Sequence, residues 1–367
     1  MVDSIMRCPQ PGQAGGPRTP VGPAARSRRW RVILFVAVLI ASVGLAGGYG
    51  LHVARRDAAD PRRSAALAAG GGPRPQSLVG GQRIVFRSTA QDSSYGLVSM
   101  VPLNDPAGPR AVTSLSCERV DVVGESGICL GADRGVVTTY KAYLFGSDLR
   151  PTRGFRLAGP PSRARLSPDG HLAAVTVFVS GHSYAGPAFS TTTTLYDVRE
   201  RGELGSLEQF AIFRDGRRIN PPDQNFWGVT FGMDDDTFYA TLATGGTTYL
   251  VRGSLRAKEV HTLTTNVECP SLSPDETRLA FKERVATDDP VRWRASVLDL
   301  RTMRRTALAD TRSVDDQIAW FDNDTVTYGL PRDADADSIT DTWAEPADGS
   351  GKPHILVPQA WSTVVVR

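Results

Sequence analysis

Residues able to carry chemistry are few in this chain, and they are scattered. Gly181-His182-Ser183-Tyr184-Ala185 approaches the G-x-S-x-G arrangement, where a strand-to-helix turn exposes a serine for nucleophilic attack. Here Gly186-Pro187 and a run of threonines surround it, so the segment reads as a connection between strands. Asp333-Ala334-Asp335-Ala336-Asp337-Ser338-Ile339-Thr340-Asp341 places oxygen ligands at alternate residues, as a calcium loop does. The turn glycine is missing and Glu345 falls one position beyond the usual bidentate ligand, so an acidic, solvated loop is the simpler reading. His52, His171, His182, His261 and His354 are far apart and form neither H-x-H nor H-E-x-x-H. No catalytic group, metal site or cofactor is assigned from these segments.

Of the four cysteines, Cys8 stands apart from Cys117, Cys129 and Cys269, and no two form a C-x-x-C pair that would suit zinc. Cys117 and Cys129 fall in one predicted hairpin and make the best pair for a disulfide. Three buried thiols are the alternative, since cysteine is often a core residue. The formal net charge is +3, with arginines interspersed among carboxylates, and no basic stripe suits nucleic acid. Lys141, Lys258, Lys282 and Lys352 are the only lysines, an arginine bias that reads as the codon usage of a GC-rich genome.

These residues must be positioned by elements that come after a long leader. Residues 1–31 are rich in Pro, Gly, Ala and Arg without periodicity, which predicts a disordered tail. The run Val32–Ala54 carries no charge over 23 residues, and a membrane-spanning helix needs ~20. Arg28, Arg29 and Arg31 abut it, placing the N-terminus in the cytoplasm and the C-terminal remainder of the chain outside. A retained single-pass anchor is the expectation, with cleavage near Gly44-Leu45-Ala46 the alternative. Residues 55–77 read as a flexible tether, and 78–367 as the folded domain.

That domain shows short β-rich runs bounded by Gly, Pro, Asp and Asn. Leu166-Ser167-Pro168-Asp169-Gly170 leads into the apolar Leu172–Val179, and Leu272-Ser273-Pro274-Asp275-Glu276 leads into Leu279-Ala280-Phe281. Recurrence of one strand–turn–strand phrase marks repeated units. Six units of about 40 to 60 residues, each with four strands, fit the blades of an all-β propeller. The third unit runs through Leu172–Val179, Thr192–Val198 and Glu208–Phe213. The first lacks a good innermost strand, and the C-terminal run Trp361–Val366 is predicted to supply it by pairing with Arg83–Arg87.

In such a ring the beginnings of the innermost strands converge on a central channel. They are Glu118 and Arg119, Ser162 and Arg163, Trp227 and Gly228, Glu268 and Cys269, and Asp316 and Gln317. This mixture of arginine and carboxylate around one aromatic suits a peptide terminus or a polar small molecule. A self-satisfied ring of salt bridges holding water is the competing reading.

The Ser-Pro-Asp-Gly phrase followed by an apolar strand resembles the repeat of the TolB-like six-bladed propellers. Leu166–Val175 and Leu272–Phe281 match it well, and Gly80–Phe86 and Phe231–Tyr239 match loosely. From Leu78 to Arg367 the chain resembles the membrane-anchored TolB-like proteins of high-GC, actinobacterial-type bacteria. The resemblance implies a non-catalytic, extracytoplasmic module that binds a protein or peptide, linked to the envelope or to translocation. The separate α/β domain that precedes the propeller in that family has no counterpart between the apolar run and Leu78, so that family's partners do not carry over. Two other functions remain open: a lactonase- or esterase-like hydrolase with a channel metal, and a sensor relaying ligand binding across the membrane.

Overall fold

The computed structural model describes residues 30, 33–42, 44, 72–179, 190–200, 202–286, 291–332 and 339–367. The chain divides into two units, Met1–Arg56 and Asp57–Arg367. In the first, residues 33–42 are helical, with Ile33, Leu34, Phe35, Leu39 and Ile40 exposed. Among the described residues no helix is long and apolar enough to cross a membrane. Val32, Val43 and residues 45–54 of the uncharged run, Gly181–Ala185 and Asp333–Ser338 lie outside the described residues.

The second unit is built from six sheets. The first blade contains β1 (Arg83–Ser88), β2 (Leu97–Pro102) and β3 (Ala111–Ser116). The second contains β4 (Arg119–Val123), β5 (Ser126–Arg134), β6 (Thr138–Phe145) and β7 (Pro151–Leu157). The third has β8 (Pro161–Leu166), β9 (Leu172–Val179), β10 (Ser190–Asp197) and β11 (Gly202–Ser206). A hairpin of β12 (Ala211–Arg214) and β13 (Arg217–Ile219) precedes the fourth blade, β14 (Asn225–Phe231), β15 (Thr237–Thr244), β16 (Thr247–Ser254) and β17 (Glu259–Thr265). The fifth comprises β18 (Glu268–Leu272), β19 (Arg278–Ala286), β20 (Arg292–Asp299) and β21 (Arg305–Ala307). The sixth comprises β22 (Ala319–Trp320), β23 (Thr325–Pro331), β24 (Thr340–Pro346) and β25 (His354–Val357). Last, β26 (Ala360–Val366) returns to the first blade, giving the order β26-β1-β2-β3. Its register with β1 pairs Arg83 with Val366, Val85 with Val364 and Arg87 with Trp361. In this way β26 covers the inner edge of β1, which would otherwise stand unpaired.

One expectation is corrected. Glu208–Phe213 is not the outer strand of the third blade; that place belongs to β11, which pairs with β10. Instead β12 runs parallel to β17, Ile212 against Val260, and makes the fourth blade a six-stranded sheet. The reason is burial. Leu207, Phe210 and Ile212 enter the apolar layer shared by the third and fourth blades, whereas β11 carries two glycines and buries little.

The second strand of each blade is buried on both faces, and its side chains alternate between two neighbouring blades. Ile84 and Phe86 face the sixth blade, while Val85 faces the second. Ala173, Val175 and Val177 face the second blade; Leu172 and Ala174 face the fourth. Leu279 and Phe281 face the fourth blade, and Ala280 the sixth. The core is thus six apolar layers, one between each adjacent pair of blades, and the circuit closes.

The recurring turn has one hydrogen-bond pattern in two blades. Ser167 Oγ donates to Asp169 Oδ1 and accepts from the Leu172 amide. Ser273 Oγ donates to Asp275 Oδ1 and accepts from the Arg278 amide. The left-handed position is Gly170 (φ 76°) in one turn and Glu276 (φ 58°) in the other. Each turn reverses the chain from an innermost strand into the buried second strand.

Candidate functional site

Bulges set the shape of the channel. Pairing shifts register in β14 after Trp227, in β18 after Glu268, and in β26 between the partners of Val85 and Arg87. A left-handed residue sits at each: Gly228 (φ 65°), Cys269 (φ 52°) and Ser362 (φ 53°). A bulge re-aims the side chains around it. Gly228 also has no room for a side chain, since a Cβ there would lie 2.5 Å from the Cys269 Cα.

Near the strand beginnings a cavity of about 40 Å³ is lined by Arg119, Asp121, Arg163, Arg165, Asp316 and Gln317, with β26 closing one side through Ser362–Val364. Arg119 and Asp121 are alternate residues of β4, and Arg163 and Arg165 alternate residues of β8, so each pair shares one face of its strand. Arg163 Nη2 lies 3.6 Å from Asp316 Oδ1, and Arg165 Nη1 4.0 Å from Asp121 Oδ1. Both are ion pairs beyond hydrogen-bond length. The carboxylates are anchored elsewhere: Asp121 Oδ2 accepts from the Leu166 amide at 2.6 Å, and Asp316 Oδ2 from the Gly329 amide at 2.9 Å.

Arg119 is held differently. Its Nε donates to the Ser162 carbonyl at 2.7 Å, and its guanidinium lies 3.8 Å from the Trp361 ring centre. Burial, then repulsion from Arg163, pushes it down to about 9, against attraction from Asp316. Burial likewise raises Asp121 above the usual carboxylate range, outweighing Arg165 and the amides that favour its charge.

The structure therefore brings Arg119, Arg163, Asp316 and Gln317 together and leaves the other expected residues, Glu118, Ser162, Trp227, Gly228, Glu268 and Cys269, off the cavity. Glu118 is taken by Arg134 at 2.5 Å and Arg87 at 3.7 Å. Glu268 is tied to Arg284 at 2.9 Å. Trp227 is half-buried on β14 and does not line the cavity. Sequence reasoning missed Asp121, Arg165 and Trp361. The first two were readable by period-two alternation from Arg119 and Arg163; Trp361 required knowing the register of β26. Cys117 and Cys129 form a disulfide joining the entry of β4 to β5, and Cys269 is a buried free thiol.

At the opposite mouth a wider cavity of about 260 Å³ is lined by Phe231, Met233, Leu272, Pro274 and Trp320 among others. Among the described residues, the group with metal-ligating geometry is Asp169, His171 and Asp235. Asp169 Oδ2 is already engaged by His171 Nδ1 at 2.5 Å and Arg199 Nη2 at 2.9 Å, so its donor set is largely spent. Asp341, from the aspartate-rich segment, pairs with Arg332 at 2.8 Å and accepts from the Gln359 amide. Glu345 is buried against Tyr328.

A closed ring of six blades around a charged axial cavity defines the chain as a six-bladed β-propeller. In structure it is similar to TolB from Acinetobacter baumannii, at TM-score 0.54 and 15% identity, over 82% of this chain and 70% of that one. It also resembles a chain of a nidogen/laminin complex, at TM-score 0.51 and 9% identity, over 78% of this chain and 98% of that one. A puromycin-hydrolyzing peptidase from Mycobacterium tuberculosis superposes more loosely, at TM-score 0.43 and 12% identity over 79% of this chain and 55% of its own. Likeness at such identities is a likeness of fold. No protein-family model and no curated protein matches the chain.

Proposed function

We propose that the protein is a membrane-anchored, extracytoplasmic propeller that binds a protein or peptide at the strand-start mouth of its channel, without catalysis. The observation that carries this reading is the convergence of Arg119, Arg163, Asp316 and Gln317 on one axial cavity from three different blades. Polar groups that converge on a concavity in a rigid scaffold are the general form of a binding site. The uncharged run Val32–Ala54, with Arg28, Arg29 and Arg31 before it, supports a single-pass anchor with a cytoplasmic tail of residues 1–31. Residues 55–77 then tether the domain of 78–367, and a role in the envelope or in translocation is consistent with that placement.

Two measurements test this. Protease added to intact spheroplasts should digest the propeller and spare the leader; full protection would overturn the orientation. A photo-crosslinking residue at Glu118 should capture a discrete partner in cells, and one at Lys258 should not. Equal capture at both positions, or none at either, would remove the mouth as the binding site.

A further inference from the structure

We propose that the cavity at the strand-start mouth is a receptor for a carboxylate group, gripped by the Arg119 and Arg163 guanidiniums and the Gln317 amide. The inference rests on the binding role proposed for this mouth and specifies the chemical group it recognises.

The cavity is unbalanced in charge. Arg119, Arg163 and Arg165 face two carboxylates, Asp121 and Asp316. Each carboxylate spends one oxygen on a backbone amide and stands 3.6 or 4.0 Å from its guanidinium. Asp316 attracts Arg119 but does not form an ion pair with it at salt-bridge distance; the Arg119 Nε is bound to the Ser162 carbonyl and its flat face lies on Trp361.

The cavity is unbalanced in hydrogen bonds as well. Arg163 Nε, Arg165 Nε and Gln317 Nε2 are buried without a partner. Buried donors are normally satisfied, and these three belong to residues that line one cavity together with Arg119. What they lack is an acceptor. Water donates as readily as it accepts and carries no charge, so it answers only half of the deficit. A carboxylate only accepts and carries the missing charge, and its two oxygens match the fork of a guanidinium. Size agrees: about 40 Å³ holds the two oxygens of a carboxylate and excludes the body of a larger ligand. The remainder of the ligand would extend out past Glu118 and Lys282, whose own charges are paired with Arg134 and Asp315. The depressed Arg119, at about 9, is a further mark of an uncompensated charge.

The shared chemistry has two sources, a peptide C-terminus and a free small carboxylate. Four probes separate them on the full chain in detergent at fixed ionic strength: acetate, triglycine, triglycinamide and sodium bromide. Acetate and triglycine should raise the unfolding midpoint and perturb tryptophan fluorescence, and triglycinamide should not. Arg119→Gln should weaken acetate and triglycine about tenfold or more, the worth of one charge-assisted hydrogen bond, while Arg119→Lys should restore part of the loss. Triglycine binding well above acetate marks a peptide terminus as the source; equal binding marks a free carboxylate. Should the variants not fold, wild-type crystals soaked in bromide should show an anomalous peak between Arg119, Arg163 and Gln317. Equal binding of triglycine and its amide, or no bromide peak and no acetate effect, would overturn the inference. If Glu118 still captures a partner in that case, the binding role stands without it; if capture also fails, both fall.

Discussion

A methyl group at Gly329 would stand 2.6 Å from Trp361 Cδ1 and 2.8 Å from Asp316 Oδ2. One glycine on β23 thus makes room for both the platform of Arg119 and the carboxylate opposite Arg163. Gly329→Ala should cost about 1–3 kcal/mol, as overpacking does, and should shift tryptophan emission; an unchanged denaturant midpoint would show the site is looser than described. A second residue-scale prediction comes from counting protons. The Tyr328 hydroxyl lies 2.8 Å from Asp310 Oδ2 and 2.9 Å from Glu345 Oε1, and it has one proton to give. Asp310 is kept ionised because the Arg312 and Tyr328 hydrogen bonds outweigh its burial. Glu345 is raised above its ordinary 4.5, mainly by burial, against the hydrogen bond it accepts from Tyr328. A carboxyl raised on folding stabilises fully below the unfolded value and loses that contribution as pH climbs through the folded one. Stability should therefore fall as pH rises above about 4.5 in the wild type, and Glu345→Gln should flatten that limb in a series of urea midpoints. An unchanged slope would contradict the assignment.

At the scale of the element, the Ser-Pro-Asp turns show why so much of this fold could be read in advance. Their chemistry is local. Asp275 accepts from Ser273 Oγ, the Thr277 amide and Thr277 Oγ1, all within two residues of it. Asp275→Ala should cost about 1–2 kcal/mol, from net hydrogen-bond values near 1 kcal/mol each with partial replacement by water; guanidinium unfolding would measure it, and a change below ~0.3 kcal/mol would mean the turn forms without its side chain. The strand β11 shows the opposite case. Gly202, Gly205 and few apolar residues give it no β signal, and only its place beside β10 makes it a strand. The neighbouring Ala211–Arg214 has a stronger β pattern, and tertiary packing delivers it to the next blade. The disulfide is intermediate: Cys117 and Cys129 were adjacent on a predicted hairpin, and closing a loop of 12 residues contributes about 3 kcal/mol. A Cys117→Ser, Cys129→Ser pair should show a loss of that order in urea, and equal midpoints with and without reductant would contradict it.

For the whole molecule, the number of units and the closing role of the tail were readable because each blade repeats one pattern. The alternation of Ile84, Val85 and Phe86 between two neighbours explains why the second strands carry apolar residues on both faces. The cavity was readable in part. First residues of innermost strands could be placed on the axis, but salt bridges from outside the ring turn Glu118 and Glu268 aside. Such bridges depend on second-strand and loop residues whose register no single unit reveals. Everything at the channel rests on the circuit being closed, since β26 carries Trp361 and supplies the wall at Ser362–Val364.

Native-state hydrogen exchange at the C-terminus tests that closure most directly. The amides of β26 that bond to β1 should exchange as slowly as those of β1 itself, in one cooperative opening with the first blade. Exchange of Val364 and Val366 at the rate of an unstructured peptide would contradict the closed ring, and the shared cavity would go with it.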